Sequence, residues 1–307
     1  MSVDILIEKI IEKQNPTVAG LDPLLDYIPE HIKEQAKGIS DDPFECAAEA
    51  LFMFNKELID ALADIVPAVK PQSAYYELYG WQGVRTYKRT IDYAKSKGLY
   101  VIGDIKRSDI GSTAEAYAKG HIGDTEIFGK TYKAFDADGV TVNPYLGSDG
   151  IKPFLNYCKN KMIFVLVKTS NKSSGEYQNQ ITQEGTIYSL VAKNVEAYGK
   201  EWVGKYQYSN VGAVVGATYP KELSDLRKLC PQTFFLVPGY GAQGGGAMDV
   251  KEAFDERGLG AIVNSSRGIM CAWQKEKSEG KDFAKAAARE ALRMKNDLLA
   301  VIGSINK

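Results

Sequence analysis

The sequence predicts an α/β chain folded as a single (β/α)8 (TIM) barrel with an N-terminal helical extension, on three observations. Eight short, apolar, β-rich runs recur along the chain, each ending in Gly, Pro, Asn or a polar cluster. A helical pattern follows each of them. The runs do not alternate cleanly between apolar and polar residues, which is how strands buried on both faces of a parallel sheet read. A doubly wound open sheet is the competing architecture, and eight strands is the barrel number. No low-complexity linker, tandem repeat beyond the βα unit, or shift in composition marks a second domain. The expected organisation is therefore one domain over 1–307: an N-terminal helix at 1–16, a barrel core at 17–270 and a C-terminal helix at 271–307.

Residues 1–16 carry acids inside their apolar stretch and lack a small-residue cleavage site, so they read as an amphipathic helix and not as a signal peptide. The first strand is TVAGLDP (17–23). A long helix then starts at DPFECAAEAL, with Asp42 as cap and a proline in the first turn. The remaining strands are PAVKPQ (67–72), YVIGDIK (100–106), GVTVNP (139–144), MIFVLVKTS (162–170), VGAVVGAT (211–218), TFFLVPGYG (233–241) and GAIVNSSR (260–267). Helical patterns fill 81–97, 184–204, 221–229, 249–257 and 281–302, and a further helix begins near Gly111.

Composition narrows the function. Lys and Arg total 38 against 39 Asp and Glu, a formal charge of -1, so no bulk field draws the chain to nucleic acid or an anionic membrane. No run reaches the roughly 18 apolar residues of a membrane span. The four cysteines, Cys46, Cys158, Cys230 and Cys271, form no C-x-x-C pair and read as buried thiols in a reducing cytosol. A cytoplasmic protein that binds a small molecule at a local site is the expectation.

In a barrel, reactive groups belong at the C-terminal ends of the strands. The polar residues at those positions are Asp22, Lys70, Asp104, Lys106, Asn143, Thr169, Ser170, Gln243 and Arg267, which would ring one mouth. Asp104 and Lys106 share a face at strand spacing, and Asp109 follows three residues on. A solvated ion-pair cluster is the bland reading of that trio. Lys70 reads as a Schiff-base nucleophile, a charge-holder beside carboxylates, or a snorkelling surface residue. Asp22, in an Asp-Pro pair, is otherwise a turn residue. His31 and His121 lie in helix-like segments without a ligand pattern, and no metal site is expected.

VPGYGAQGGG (237–246) contains a formal G-x-G-x-x-G at Gly239, Gly241 and Gly244. A dinucleotide fingerprint would follow the first strand of its unit, whereas here only one strand and one long helix remain. In a barrel the loops after strands 7 and 8 commonly cradle phosphate. Gly241, Gly244, Gly245 and Ser266 are the candidate phosphate loop, with Arg267 as a fork-shaped cation. A glycine-rich surface turn beside a solvated Arg is the alternative.

Taken together, GLDP, VKPQ, DIKRSDIGST, KTSN, PGYGAQGG and NSSRG resemble, in order and by strand, the orotidine 5′-phosphate decarboxylase family over residues 17 to about 270. The resemblance is to the longer bacterial branch. It implies a cofactor-free decarboxylation of orotidine 5′-phosphate to UMP, in a homodimer with shared active sites. It also implies a charged array of Lys70, Asp104 and Lys106 from one chain and Asp109 from the other, with Lys106 as proton donor. Thr113 would cross with Asp109 toward the ribose, and Asp22 would bind a ribose hydroxyl. Ser170, with Ser173 as the alternative, would read the pyrimidine amide edge, and Gln243 and Arg267 would hold the phosphate. The chain departs from the family at Asn264, Ser265 and Ser266, where many members carry V-G before the Arg. A Mg2+-dependent phosphosugar decarboxylase or synthase, a Schiff-base aldolase and a non-catalytic nucleotide-phosphate sensor are the alternatives on the same fold.

Overall fold

The computed structural model describes residues 1–241, 245–276 and 279–306. All eight runs form strands: β1 (Thr17–Leu21), β2 (Ala68–Pro71), β3 (Tyr100–Arg107), β4 (Gly139–Val142), β5 (Met162–Lys168), β6 (Ser209–Val215), β7 (Thr233–Val237) and β8 (Ala261–Ser265). They pair in parallel in chain order, and the ring closes where β1 pairs with both β2 and β8, through Gly20↔Lys70 and Ala19↔Ser265. A doubly wound sheet would leave two edges. This one leaves none.

Closure in register puts all eight strand ends at one rim, which is what brings residues 22, 70, 104 and 267 near one another. The opposite rim is covered by the amphipathic helix Ser2–Lys13. Its Val3, Leu6, Ile7 and Ile10 are buried against the first, inward-facing residues of the strands, among them Val18, Tyr100 and Phe234. Val3 N donates to Asn210 Oδ1 at 2.7 Å, and the hydroxyls of Ser2 and Tyr100 hydrogen-bond at 2.8 Å, so the helix is pinned as well as packed.

Outward-facing strand residues such as Val69, Val101, Val165 and Val263 form the second core layer with the surrounding helices. The Asp42 cap forms as expected, its Oδ1 accepting from Phe44 N at 2.9 Å ahead of helix Pro43–Leu62. The last helix is Phe283–Ile302. Two helices are shorter than expected: 249–257 holds only helix Ala247–Val250 and a 3-10 turn at Lys251–Ala253, and 184–204 begins in the short strand Gly185–Thr186, paired with Ile181–Thr182, before helix Ile187–Gly199 and a 3-10 turn. Helix Ser148–Leu155, with Pro153 inside it, is the helix expected after β4, for which the sequence reading gave no bounds. Cys158, Cys230 and Cys271 are buried thiols, whereas Cys46 is half-buried. Among the described residues no helix is long and apolar enough to cross a membrane.

Candidate active site

A cavity of about 770 Å3 opens at the C-terminal rim of the barrel. At its base the Asp104 carboxylate lies between two ammonium groups, Oδ2 at 2.6 Å from Lys70 Nζ and Oδ1 at 2.5 Å from Lys106 Nζ. Asp22 Oδ1 stands 3.9 Å from Lys70 Nζ. The two lysines differ in access: the Lys70 side chain is 5% exposed and that of Lys106 43%, so only Lys106 is open to a ligand.

Burial would by itself raise the Asp104 carboxyl, but the charges of Lys70 and Lys106 overcome it and hold the group well below the usual carboxylate range. For Lys70, burial disfavours the ammonium, and Asp104 and then Asp22 reverse the sign, leaving its pKa raised. Both groups are therefore charged at neutral pH. The arrangement is a fixed anion with one buried and one accessible cation.

Regular strand geometry does not deliver Lys106 to Asp104. Pairing of β3 with β4 runs from Gly103↔Val140 to Arg107↔Val142, four residues against two, so β3 bulges across the motif. Lys106 takes up the bulge with a φ of 47°, a left-handed conformation that a side chain pays for with roughly 1–3 kcal/mol. Thr141 on β4 holds it there: its Oγ1 accepts from Lys106 N at 3.0 Å and donates to Asp104 Oδ1 at 2.8 Å. One hydroxyl thus sets both the backbone of the lysine and the carboxylate.

Asp22, Thr169, Ser170, Ser266 and Arg267 also line the cavity, as expected. Ser173 is exposed and does not line it. Arg267 reaches an adjoining cavity of about 690 Å3, which Gly241 borders. Gly241 N donates to Gly245 O at 2.8 Å, and a Cβ on Gly245 would stand 2.8 Å from that of Ala217, so the loop base packs directly on the loop after β6. Gln243 and Gly244 lie outside the described residues. Ser266 accepts from Asn264 Nδ2 at 3.2 Å, and it fits only because its neighbour in GLDP is Gly20, whose Cβ would lie 1.9 Å from Ser266 Oγ.

Asn143 is a correction. It does not line the mouth, because the chain has turned by then and its Oδ1 accepts from Tyr145 N at 3.0 Å. Thr141, two residues earlier and still within β4, takes the place expected of it. The sequence reading also missed Tyr27, Tyr75, Gln178 and Asn264, and the apolar floor formed by Leu166, Val214 and Leu236 on β5, β6 and β7. The inward parity of those three strand residues was a usable signal. Tyr27 and Gln178 come from connecting segments and had none. Asp22 Oδ1 and Asn264 Oδ1 are buried without a hydrogen-bond partner among the described residues, so each keeps an acceptor for a ligand.

Asp109 and Thr113 do not line their own chain's cavity. Asp109 Oδ1 accepts from Ile110 N at 2.8 Å, and Thr113 is exposed in the first turn of helix Gly111–Ile122. Gly150 packs against this stretch and Leu146, and Ile110, Tyr145 and Leu146 leave an exposed apolar rim. Among the described residues no three His, Cys, Asp or Glu side chains are grouped to hold a metal ion. His31 is exposed, as expected of an ordinary surface position, but His121 is buried with Nδ1 lacking a partner among the described residues.

Comparison with known proteins agrees with this geometry. Residues 46–283 match the model of the Orotidine 5'-phosphate decarboxylase / HUMPS family. An orotidine 5'-phosphate decarboxylase of Clostridium tetani is 42% identical over 99% of this chain and 100% of its own length. One from Caldicellulosiruptor bescii is 39% identical over 97% of this chain and 98% of its own. Among solved structures, the OMP decarboxylase of Leishmania donovani superposes with a TM-score of 0.70 at 29% identity, covering 96% of this chain and 98% of that one.

Proposed function

The chain belongs to the orotidine 5'-phosphate decarboxylase / HUMPS family, and we propose that it decarboxylates orotidine 5′-phosphate to UMP in pyrimidine nucleotide synthesis, without a cofactor. The observation that carries this reading is Asp104 held between Lys70 and Lys106, with only Lys106 open to the cavity.

The residue types fit the chemistry. Breaking the bond between C6 and the carboxylate releases CO2 and leaves the electron pair on C6, in the plane of the ring, without the delocalisation of an enolate. The Lys106 ammonium stabilises that charge and then gives C6 a proton; the neutral amine regains one from water. Asp104 faces the departing carboxylate, so like charge raises the bound ground state and the penalty fades as CO2 leaves. Lys70, out of reach of solvent, keeps Asp104 ionised and fixed. The Leu166, Val214 and Leu236 floor suits the face of a pyrimidine, Ser170 its amide edge, and Asp22 a ribose hydroxyl. Arg267, with Gln243 and the loop after β7, takes the phosphate, whose binding contributes to the transition state by closing that loop.

The working unit is a cytoplasmic homodimer, with no nucleic-acid or membrane partner. Asp109 and Thr113 serve the partner's mouth, a reading supported by their place outside their own cavity and beside the apolar rim of Ile110, Tyr145 and Leu146. A metal-dependent phosphosugar enzyme would need carboxylate oxygens free for the ion, and both oxygens of Asp104 are taken by ammonium groups. The test is an ultraviolet assay for loss of orotidine 5′-phosphate with and without EDTA. Equal turnover in both is the expected result. Absence of turnover, or activity that EDTA removes and Mg2+ restores, would overturn the reading.

A further inference from the structure

Lys168, the last residue of β5, is wholly buried and does not line the mouth. A buried ammonium is costly unless its donors are met. Among the described residues its two hydrogen bonds go to neutral oxygens, Asn179 Oδ1 at 2.8 Å and Ser174 Oγ at 3.2 Å, and the group also stands 4.4 Å from the ring centre of Tyr219. Ser174 and Asn179 belong to the loop after β5. Tyr219 belongs to the loop after β6, so one ammonium ties two successive loops of the rim.

The segment between these anchors supplies part of the mouth: Thr169, Ser170, Asn171 and Gln178. A second link lies beside the first. Thr169 N donates to Gln178 Oε1 at 2.9 Å, and Gln178 Nε2 donates to Thr169 Oγ1 at 2.7 Å. Residues 168 and 169 therefore grip 179 and 178, and the chain between them must fold back over the cavity. From below, Gly216 N donates to Lys168 O at 2.8 Å, and a Cβ on Gly216 would stand 2.8 Å from that of Ser170. A methionine would fill the same volume without the desolvation cost, so the charge is there to hold something.

We propose that Lys168 is a positioning residue that sets the base-reading part of the rim, Thr169 to Gln178, without touching substrate. The proposal rests on the pyrimidine nucleotide reading of the site. It predicts a selective defect: ligands that carry the base lose affinity, and ligands with only sugar and phosphate do not.

The experiment measures inhibition constants of UMP and ribose 5-phosphate for the full chain and for Lys168→Met and Asn179→Ala, with folding checked by circular dichroism. Lys168→Met should weaken UMP about tenfold and leave ribose 5-phosphate within about twofold, since only contacts to the base are misplaced. Asn179→Ala, an exposed position, should show the same selectivity with a smaller loss. The double variant should lose no more than Lys168→Met, because both act through one contact. Equal loss for the two ligands, or no loss for UMP, overturns the proposal. Should Lys168→Met fail to fold, Asn179→Ala decides by the same criterion. Failure of the unaltered chain to bind UMP would instead overturn the functional reading itself.

Discussion

The Lys106 ammonium meets Asp104 Oδ1 at 2.5 Å although the backbone that carries it departs from regular strand geometry within β3, with a φ of 47°. In an unbroken strand, residues two apart project in parallel and their side-chain ends need not converge. The bulge turns Lys106 and brings its ammonium to the carboxylate. The strain is held by Thr141 below and by the charge pairing above.

On the proposed mechanism, replacing Lys106 by Ala removes both the electrostatic stabilisation at C6 and the proton donor and should reduce kcat by about 10^4-fold or more. UMP affinity should stay near that of the unaltered chain. An ultraviolet assay and a product-inhibition constant separate the two effects.

Thr141→Val keeps the shape and removes the hydroxyl that accepts from Lys106 N and donates to Asp104. Stability should fall by about 1–3 kcal/mol, the cost of leaving a buried donor unpaired. Turnover should fall by more than UMP binding does, and Thr141→Ser should restore most of both. Urea unfolding and steady-state kinetics check the two parts.

On the proposed phosphate role, Arg267→Ala should lower kcat/KM by about 100-fold, with kcat falling as well as KM rising. An unchanged kcat/KM would make the Arg a surface charge only.

Mixing Lys106→Ala with Asp109→Ala subunits should restore activity if Asp109 serves the partner's mouth. Half of the randomly reassorted dimers carry one intact site, so roughly a quarter of normal activity should return. No recovery, with subunit exchange confirmed, would mean that Asp109 acts on its own chain.

His121 links stability to pH. Burial, followed by the Arg107 charge, lowers its pKa to about 4, and its ring stacks on Phe135 at 4.8 Å between centroids. The unfolded chain takes up a proton near pH 6.5 that the folded chain refuses, so this contribution is complete above pH 6.5 and is lost as pH falls toward 4. Between pH 7 and pH 5 the loss amounts to about 2 kcal/mol. It should vanish from the pH dependence of denaturant unfolding in His121→Gln.

The strand and helix content of the barrel was legible in the sequence because it is local. A β-rich run bounded by Gly, Pro or Asn declares itself over six or seven residues, and the charged residues that close β2, β3 and β8 stand at known offsets from those bounds. Lys70, Asp104, Lys106 and Arg267 were placed for that reason. What stayed hidden depends on where the chain turns. Asn143 and Thr141 are both polar and two residues apart, and only the path of the chain after β4 decides which of them faces the mouth.

By itself, the sequence determined the number of barrel strands, their order and the charged groups at their ends, since each follows from short-range pattern and composition, but not the two short hairpins Thr125–Ile127 with Lys130–Tyr132 and Ile181–Thr182 with Gly185–Thr186 that stand outside the barrel. Tertiary structure alone decided that β3 bulges at Lys106, that Thr141 joins the array, that Tyr27 and Gln178 reach the rim, and that Lys168 is buried beneath Ser170 with its charge on two loops. The physical reason is sequence distance. Those contacts join segments that meet only when the barrel closes, and the energy that selects them, desolvation and pairing of buried polar groups, does not exist until closure removes the water.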